Sequence, residues 1–238
     1  MRNVGLISRR ELGAYLTSPI AYIVTAVFLV LSGTFFTSYL ADTDYADTSV
    51  RGFLDVGPFL LLLFAALLTM RLIAEERALG TWELLFTAPV RDVEIVIGKY
   101  LGSVVVLGAM LALTLYYPVL LMAMGDPDTG PIITSYIGLA LLGSAALAVG
   151  VFASSLTSSQ VTSAVLAGLI LFGLWFLGPV ADAFSGPVAE ALAQISLERH
   201  FDDFVRGIID TKAVIHYLSV TVVFLFLATV SVESGRYR

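Results

Sequence analysis

The chain predicts an all-α membrane protein with six transmembrane helices, and three observations carry that expectation. Of its 238 residues, 58% are hydrophobic and 13% charged; a soluble globular protein is about 45–50% apolar and about 25% charged. The apolar residues gather in six runs of about 20, the length that crosses a hydrocarbon core of about 30 Å. The polar residues left over form only short segments, so residues 1–238 make one membrane domain with no room for a large extramembrane one. Cysteine is absent, which excludes disulfides, thiol catalysis and cysteine metal sites.

Residues 1–18 carry a helical stripe of Val4, Ile7, Leu12, Tyr15 and Leu16, with Arg2, Arg9, Arg10 and Glu11 elsewhere. That pattern predicts an amphipathic helix lying on the membrane surface. The apolar run starts only after Ser18-Pro19, so the segment is not read as a signal peptide. Span 1 covers 20–40, and an acidic loop with Asp42, Asp44, Asp47 and Asp55 follows. Span 2 covers 56–72 and leads into a polar stretch, 71–99. Span 3 covers 100–124, bent by Pro118. After the turn GDPDTGP come span 4 (132–153) and span 5 (161–180). A longer polar segment, 181–212, precedes span 6 (213–232). Gly138, Gly143, Ala146, Gly150, Gly168 and Gly173, with Gly98 and Gly102 at the mouth of span 3, are small residues that let helices approach closely in lipid.

Six spans put both termini on one side. Nine basic residues fall there: Arg2, Arg9, Arg10, Arg71, Arg77, Arg91, Lys99, Arg236 and Arg238. Four fall opposite: Arg51, Arg199, Arg206 and Lys212. The positive-inside rule makes the first side cytoplasmic. Both termini, and the 71–99 stretch, are thus expected on the cytoplasmic side of the membrane.

That stretch interleaves charge with apolar residues. A charge at mid-bilayer costs roughly 2.5–3.5 kcal/mol, so most of the stretch lies outside the hydrocarbon. The pattern predicts a helix over 70–79 continuing span 2, broken by Gly80. A short helix capped by Thr81 follows and ends at Pro89; Asp92 then caps the helix entering span 3. On these residues alone, two readings stay open: an elbow docking into another protein's groove, or a hairpin resting on the membrane interface. In 181–212, Leu197, Phe201, Phe204 and Ile208 recur at i, i+4, i+7 and i+11, which predicts an interfacial helix on the outer leaflet. Arg199–Asp203 and Asp202–Arg206 have the spacing of ion pairs along it.

Glu75-Glu76-Arg77, Gly80-Thr81-Trp82-Glu83-Leu84-Leu85, Thr87-Ala88-Pro89-Val90 and Gly98-Lys99 together resemble the signature of type-2 ABC transporter permeases. RRELGAYLTSPIAY at the N-terminus, and the sequence from His200 through span 6, resemble the short gliding-motility-type branch. The resemblance implies that the elbow is the coupling helix on a cytoplasmic ABC ATPase subunit, with Glu75, Glu76, Arg77, Gly80, Thr81, Glu83, Leu84, Leu85 and Pro89 at the matching positions. It also implies a second permease copy or a related membrane subunit, contact with membrane lipid, and no nucleic-acid partner. The chain itself lacks a phosphate-binding loop: Gly98-Lys99 has Val93 where the first glycine belongs and Tyr100 where Ser or Thr belongs. ATP and magnesium are therefore expected in the partner, with no cofactor, metal or catalytic residue in this chain. An intramembrane protease would need Arg at the position of Gly80, and an ion-coupled carrier would need ionisable groups within its spans.

Overall fold

A computed structural model describes residues 2–42, 51–81 and 90–235. Among them lie twelve helices and no strand: α1 Arg2–Thr17, α2 Pro19–Asp42, α3 Arg51–Leu54, α4 Gly57–Thr69, α5 Ala74–Ala78, α6 Asp92–Thr114, α7 Tyr116–Met124, α8 Thr129–Leu156, α9 Gln160–Asp182, α10 Pro187–Ile195, α11 Leu197–Val205 and α12 Thr211–Gly235. Six stretches are long and apolar enough to cross a membrane: Pro19–Asp42, Gly57–Ala78, Asp92–Met124, Thr129–Leu156, Gln160–Asp182 and Thr211–Ser234. They coincide with the six predicted spans.

The spans divide into a centre and a shell. The most apolar windows of spans 2 and 4 are 72% buried, those of spans 5 and 6 only 22%. α8 is the central helix, packed by α4, α6, α9, α11 and α12. Its buried face carries Gly138, Gly143, Ala146 and Gly150, the small residues the sequence singled out. At Gly150 the approach is closest: a Cβ there would stand 1.9 Å from Thr69 Oγ1 of α4. Any larger residue would push the two central helices apart. Gly168 and Gly173 of α9 are not packed this way; they border a shallow apolar groove against α4.

Span 3 divides at Leu115 into α6 and α7, three residues before Pro118. Proline lacks an N–H and crowds the carbonyl four residues back. That carbonyl, Thr114 O, accepts instead from Tyr136 Oη at 2.8 Å. Pro179 inside α9 is handled the same way: Trp175 O, four residues back, accepts from Ser196 Oγ at 3.4 Å.

Three expectations change in detail. The cap of α6 is Arg91 rather than Asp92: the Arg91 N–H donates to Glu94 Oε2 at 3.2 Å, which makes Asp92 the first helical residue. The predicted surface helix, α1, has a protein partner. It runs along the first turns of α6, where Gly98 and Gly102 leave room for Ile7 and Glu11; Cβ atoms there would stand 2.7 and 2.9 Å from those side chains. The 70–79 helix extends span 2 only after a turn over residues 70–73, which separates α4 from α5 within the stretch Gly57–Ala78.

Candidate functional site

The polar stretch 70–100 is rooted in a cluster of side chains from α1, α5 and α6. α5 is short and acidic at its start, and it ends where Gly80 adopts a left-handed φ of 70°, the conformation glycine adopts without strain. Before α5, the turn over 70–73 frees backbone groups that helix geometry would have paired. Leu72 N–H donates to Thr69 O, so Leu68 O is left to accept from Tyr15 Oη at 2.7 Å. Ser154 Oγ of α8 accepts from both Ile73 N–H and Ala74 N–H at 3.0 Å and donates to Met70 O at 3.2 Å. Arg71 stacks over the Tyr15 ring, 4.8 Å from its centroid, and donates to Ser18 Oγ at 2.6 Å. The turn is thus a hinge in span 2, clasped by α1 on one side and α8 on the other.

Beyond the hinge sits an ion cluster. Lys99, two turns into α6, is 1% exposed. Its Nζ lies 2.9 Å from Glu11 Oε1 and 2.9 Å from Glu76 Oε1. Arg10 Nη2 reaches the same two oxygens at 3.1 and 2.8 Å. Two carboxylates and two cations therefore balance across three helices. Burial alone would lower the Arg10 pKa, but Glu11 and Glu76 outweigh it and raise it. Burial lifts the Tyr15 phenol well above its usual range against the opposing charge of Arg71, so its hydroxyl stays a donor. Removing Lys99, the fully buried member, costs about 3–5 kcal/mol, because its partners are left charged and short of a cation. Asn3 Nδ2 also donates to Glu94 Oε2 at 3.1 Å, which ties the start of α1 to the start of α6.

The structure brings some of the predicted site residues together. Glu76 is inside the cluster. Glu75 lines a cavity of about 430 Å³ that Arg10, Glu11, Arg71, Glu76 and Lys99 also wall. Arg77 is half-buried on α5, Gly80 forms the left-handed turn, and Thr81 donates to Glu76 O at 3.3 Å. Glu83, Leu84, Leu85 and Pro89 lie outside the described residues. Arg10, Glu11, Tyr15, Arg71, Lys99 and Ser154 were not among the predicted site residues, although Gly98-Lys99 belongs to the signature. A signal for one of them was present: Lys99 is a lone cation beside the small-residue pair that seats α1.

At the opposite end, Leu197, Phe201 and Phe204 of α11 are buried against the bundle. Phe204 lies on Gly138, and Phe204 O accepts from Thr134 Oγ1 at 2.7 Å; Leu197 O accepts from Tyr217 Oη at 2.8 Å. Ile208 does not join them. α11 ends at Val205, Gly207 turns the chain at φ 87°, and Ile208 is 55% exposed. Nor do the predicted charge pairs close: Arg199 pairs with Asp182 at the end of α9. Glu198 has its pKa raised, first by burial and then by Asp202 and Asp182, against the pull of Arg199. His200 and His216 stack face to face with centroids 4.0 Å apart. Among the described residues, no group of three or more His, Cys, Asp or Glu side chains is placed to hold a metal.

No curated protein matches the chain. A family model described as ABC-2 family transporter protein matches residues 31–196, from within α2 to the residue before α11. The match includes the hinge, Lys99 and Ser154.

Proposed function

The chain belongs to the ABC-2 family of transporter proteins, and from that premise we propose that it is the permease subunit of an ATP-driven transporter, moved by a separate ATPase subunit seated on the 70–100 elbow. The observation that carries this is the attachment of the elbow. α5 is loosened from α4 by the hinge, yet bound to α6 and α1 through Glu76, Lys99, Glu11 and Arg10. A push on the elbow then acts on α1, α5 and the start of α6 as one block. The block pivots at residues 70–73 and tilts span 3 against the central α8, to which Ser154 links the pivot.

In this complex, ATP and magnesium belong to the ATPase. Lys99 is unsuited to a phosphate here, since both neighbouring carboxylates already occupy it. The elbow faces the cytoplasm of a prokaryotic cell together with both termini, in keeping with the basic residues on that side. A second copy of the chain, or a related permease, completes the membrane half. The ATPase cycle drives substrate export or mechanical transmission across the membrane. Glu83, Leu84 and Leu85 supply the docking surface and Glu75, Glu76, Arg77, Gly80, Thr81 and Pro89 its shape. Glu83→Lys or Leu84→Asp is expected to abolish co-purification with the ATPase and the stimulation of its ATP hydrolysis, with membrane insertion intact. Retention of both properties in both variants would overturn the assignment.

A further inference from the structure

We propose that the cavity beneath α1 binds one acyl chain of an anionic phospholipid from the surrounding bilayer, with Arg9 holding the headgroup phosphate. The cavity has a volume of about 520 Å³ and lies between α1 (Leu12, Leu16), α2 (Ala26, Leu29) and α6 (Ala109, Met110). Three hydroxyls reach its wall, and each is already engaged by a backbone carbonyl. Tyr15 Oη donates to Leu68 O at 2.7 Å, Tyr22 Oη to Leu16 O at 2.8 Å, and Thr25 Oγ1 to Ala21 O at 2.8 Å. Every side-chain donor on its wall is thus committed to the backbone and the rest of the wall is apolar, so the cavity suits hydrocarbon. α2 and α6 belong to membrane-crossing spans, and the rim residues Leu16, Val105 and Leu113 are exposed. The cavity therefore opens where lipid tails are the solvent.

A tail gains little by leaving its neighbours for this cavity, because lipid tails are as apolar as leucine. Preference for one lipid must come from its headgroup. Arg9 stands one helical turn along α1 from Leu12, about 4.5 Å nearer the N-terminus, and on the same face as Leu16 seven residues on. It is exposed, and no ion-pair partner lies within reach among the described residues. Arg10 beside it is held by Glu11 and Glu76. A free guanidinium one turn beyond an apolar cavity matches a phosphate attached to a tail, and guanidinium–phosphate bonds are charge-assisted and often paired.

The test uses the full chain in nanodiscs of equal phosphatidylglycerol and phosphatidylcholine, each carrying a photoreactive acyl chain. Retained lipid is counted by native mass spectrometry, and labelled peptides are mapped. The wild type is expected to retain phosphatidylglycerol over phosphatidylcholine by about five-fold, the effect of one basic residue at a membrane surface. Its label is expected within residues 101–114. Arg9→Gln should erase the preference while the label still lands there. Ala109→Phe, or the separate variant Ala26→Leu, should remove the label by filling the cavity. Equal retention by the wild type, a preference that survives Arg9→Gln, or labelling confined to other segments would overturn the proposal. No ATPase is needed, so the result is independent of the permease mechanism.

Discussion

At the α5 end, span 2 breaks over residues 70–73 and side chains of α1 and α8 take up the freed backbone groups. At the α11 end, span 3 divides at Leu115 ahead of Pro118 while α9 runs on through Pro179, and Tyr136 and Ser196 take up the carbonyls the two prolines free. The device is shared; what surrounds it is not. The first break is flanked by two carboxylates and two cations in register. The second is flanked by the aromatic wedge of α11, seated on Gly138. The difference teaches which end can move as a body. Ion pairs spanning three helices hold α1, α5 and α6 together, while the turn over 70–73 separates α5 from α4. Apolar wedging has no pivot and fixes α11 between its neighbours.

Charge and volume substitutions should therefore act at opposite ends. The largest expected effect is at Lys99. Lys99→Met leaves Glu11 and Glu76 short of a cation and should destabilise the purified protein by about 3–5 kcal/mol, read as a fall in thermal midpoint. Adding Glu11→Gln should restore much of the loss, since Arg10 then neutralises Glu76 alone. Phe204→Ala should cost about 3 kcal/mol and loosen α11 in hydrogen exchange, with the ion cluster unaffected. Ser154→Ala leaves two buried N–H groups unpaired, for a loss of about 1–3 kcal/mol. Faster hydrogen exchange should be confined to residues 70–78. If Ser154→Ala instead loosens α11, the two ends are not separate.

The smallest effect concerns Glu198, whose raised pKa means the folded chain holds that proton more tightly than the unfolded one. The stability it contributes is full below the ordinary glutamate value of about 4.3 and is lost as pH rises through the native value. Thermal melts across that window should fall more steeply for the wild type than for Glu198→Gln.

The six spans were legible because each is a single run of apolar residues, and Gly80 was legible because only a left-handed residue ends α5 as it does. The bend at Pro118 followed from its missing N–H. The hinge was not legible: residues 70–73 contain neither Gly nor Pro, and its partners Tyr15 and Ser154 lie 53 and about 80 positions away. Lys99 was visible as a charge, but its partners come from two other helices. Ile208 was assigned to the α11 stripe by periodicity alone, which carries no account of Gly207 turning the chain before it.

The block is tested most directly by spin-label distances, for which a chain without cysteine is ready-made. Labels at Leu79→Cys and Val93→Cys report within the block, and labels at Leu79→Cys and Leu156→Cys report from the block to the end of α8; all three positions are exposed. In the complex with its ATPase, addition of a non-hydrolysable ATP analogue should shift the second distance and leave the first unchanged. A shift in the first distance with the second unchanged would contradict a block that pivots as one body.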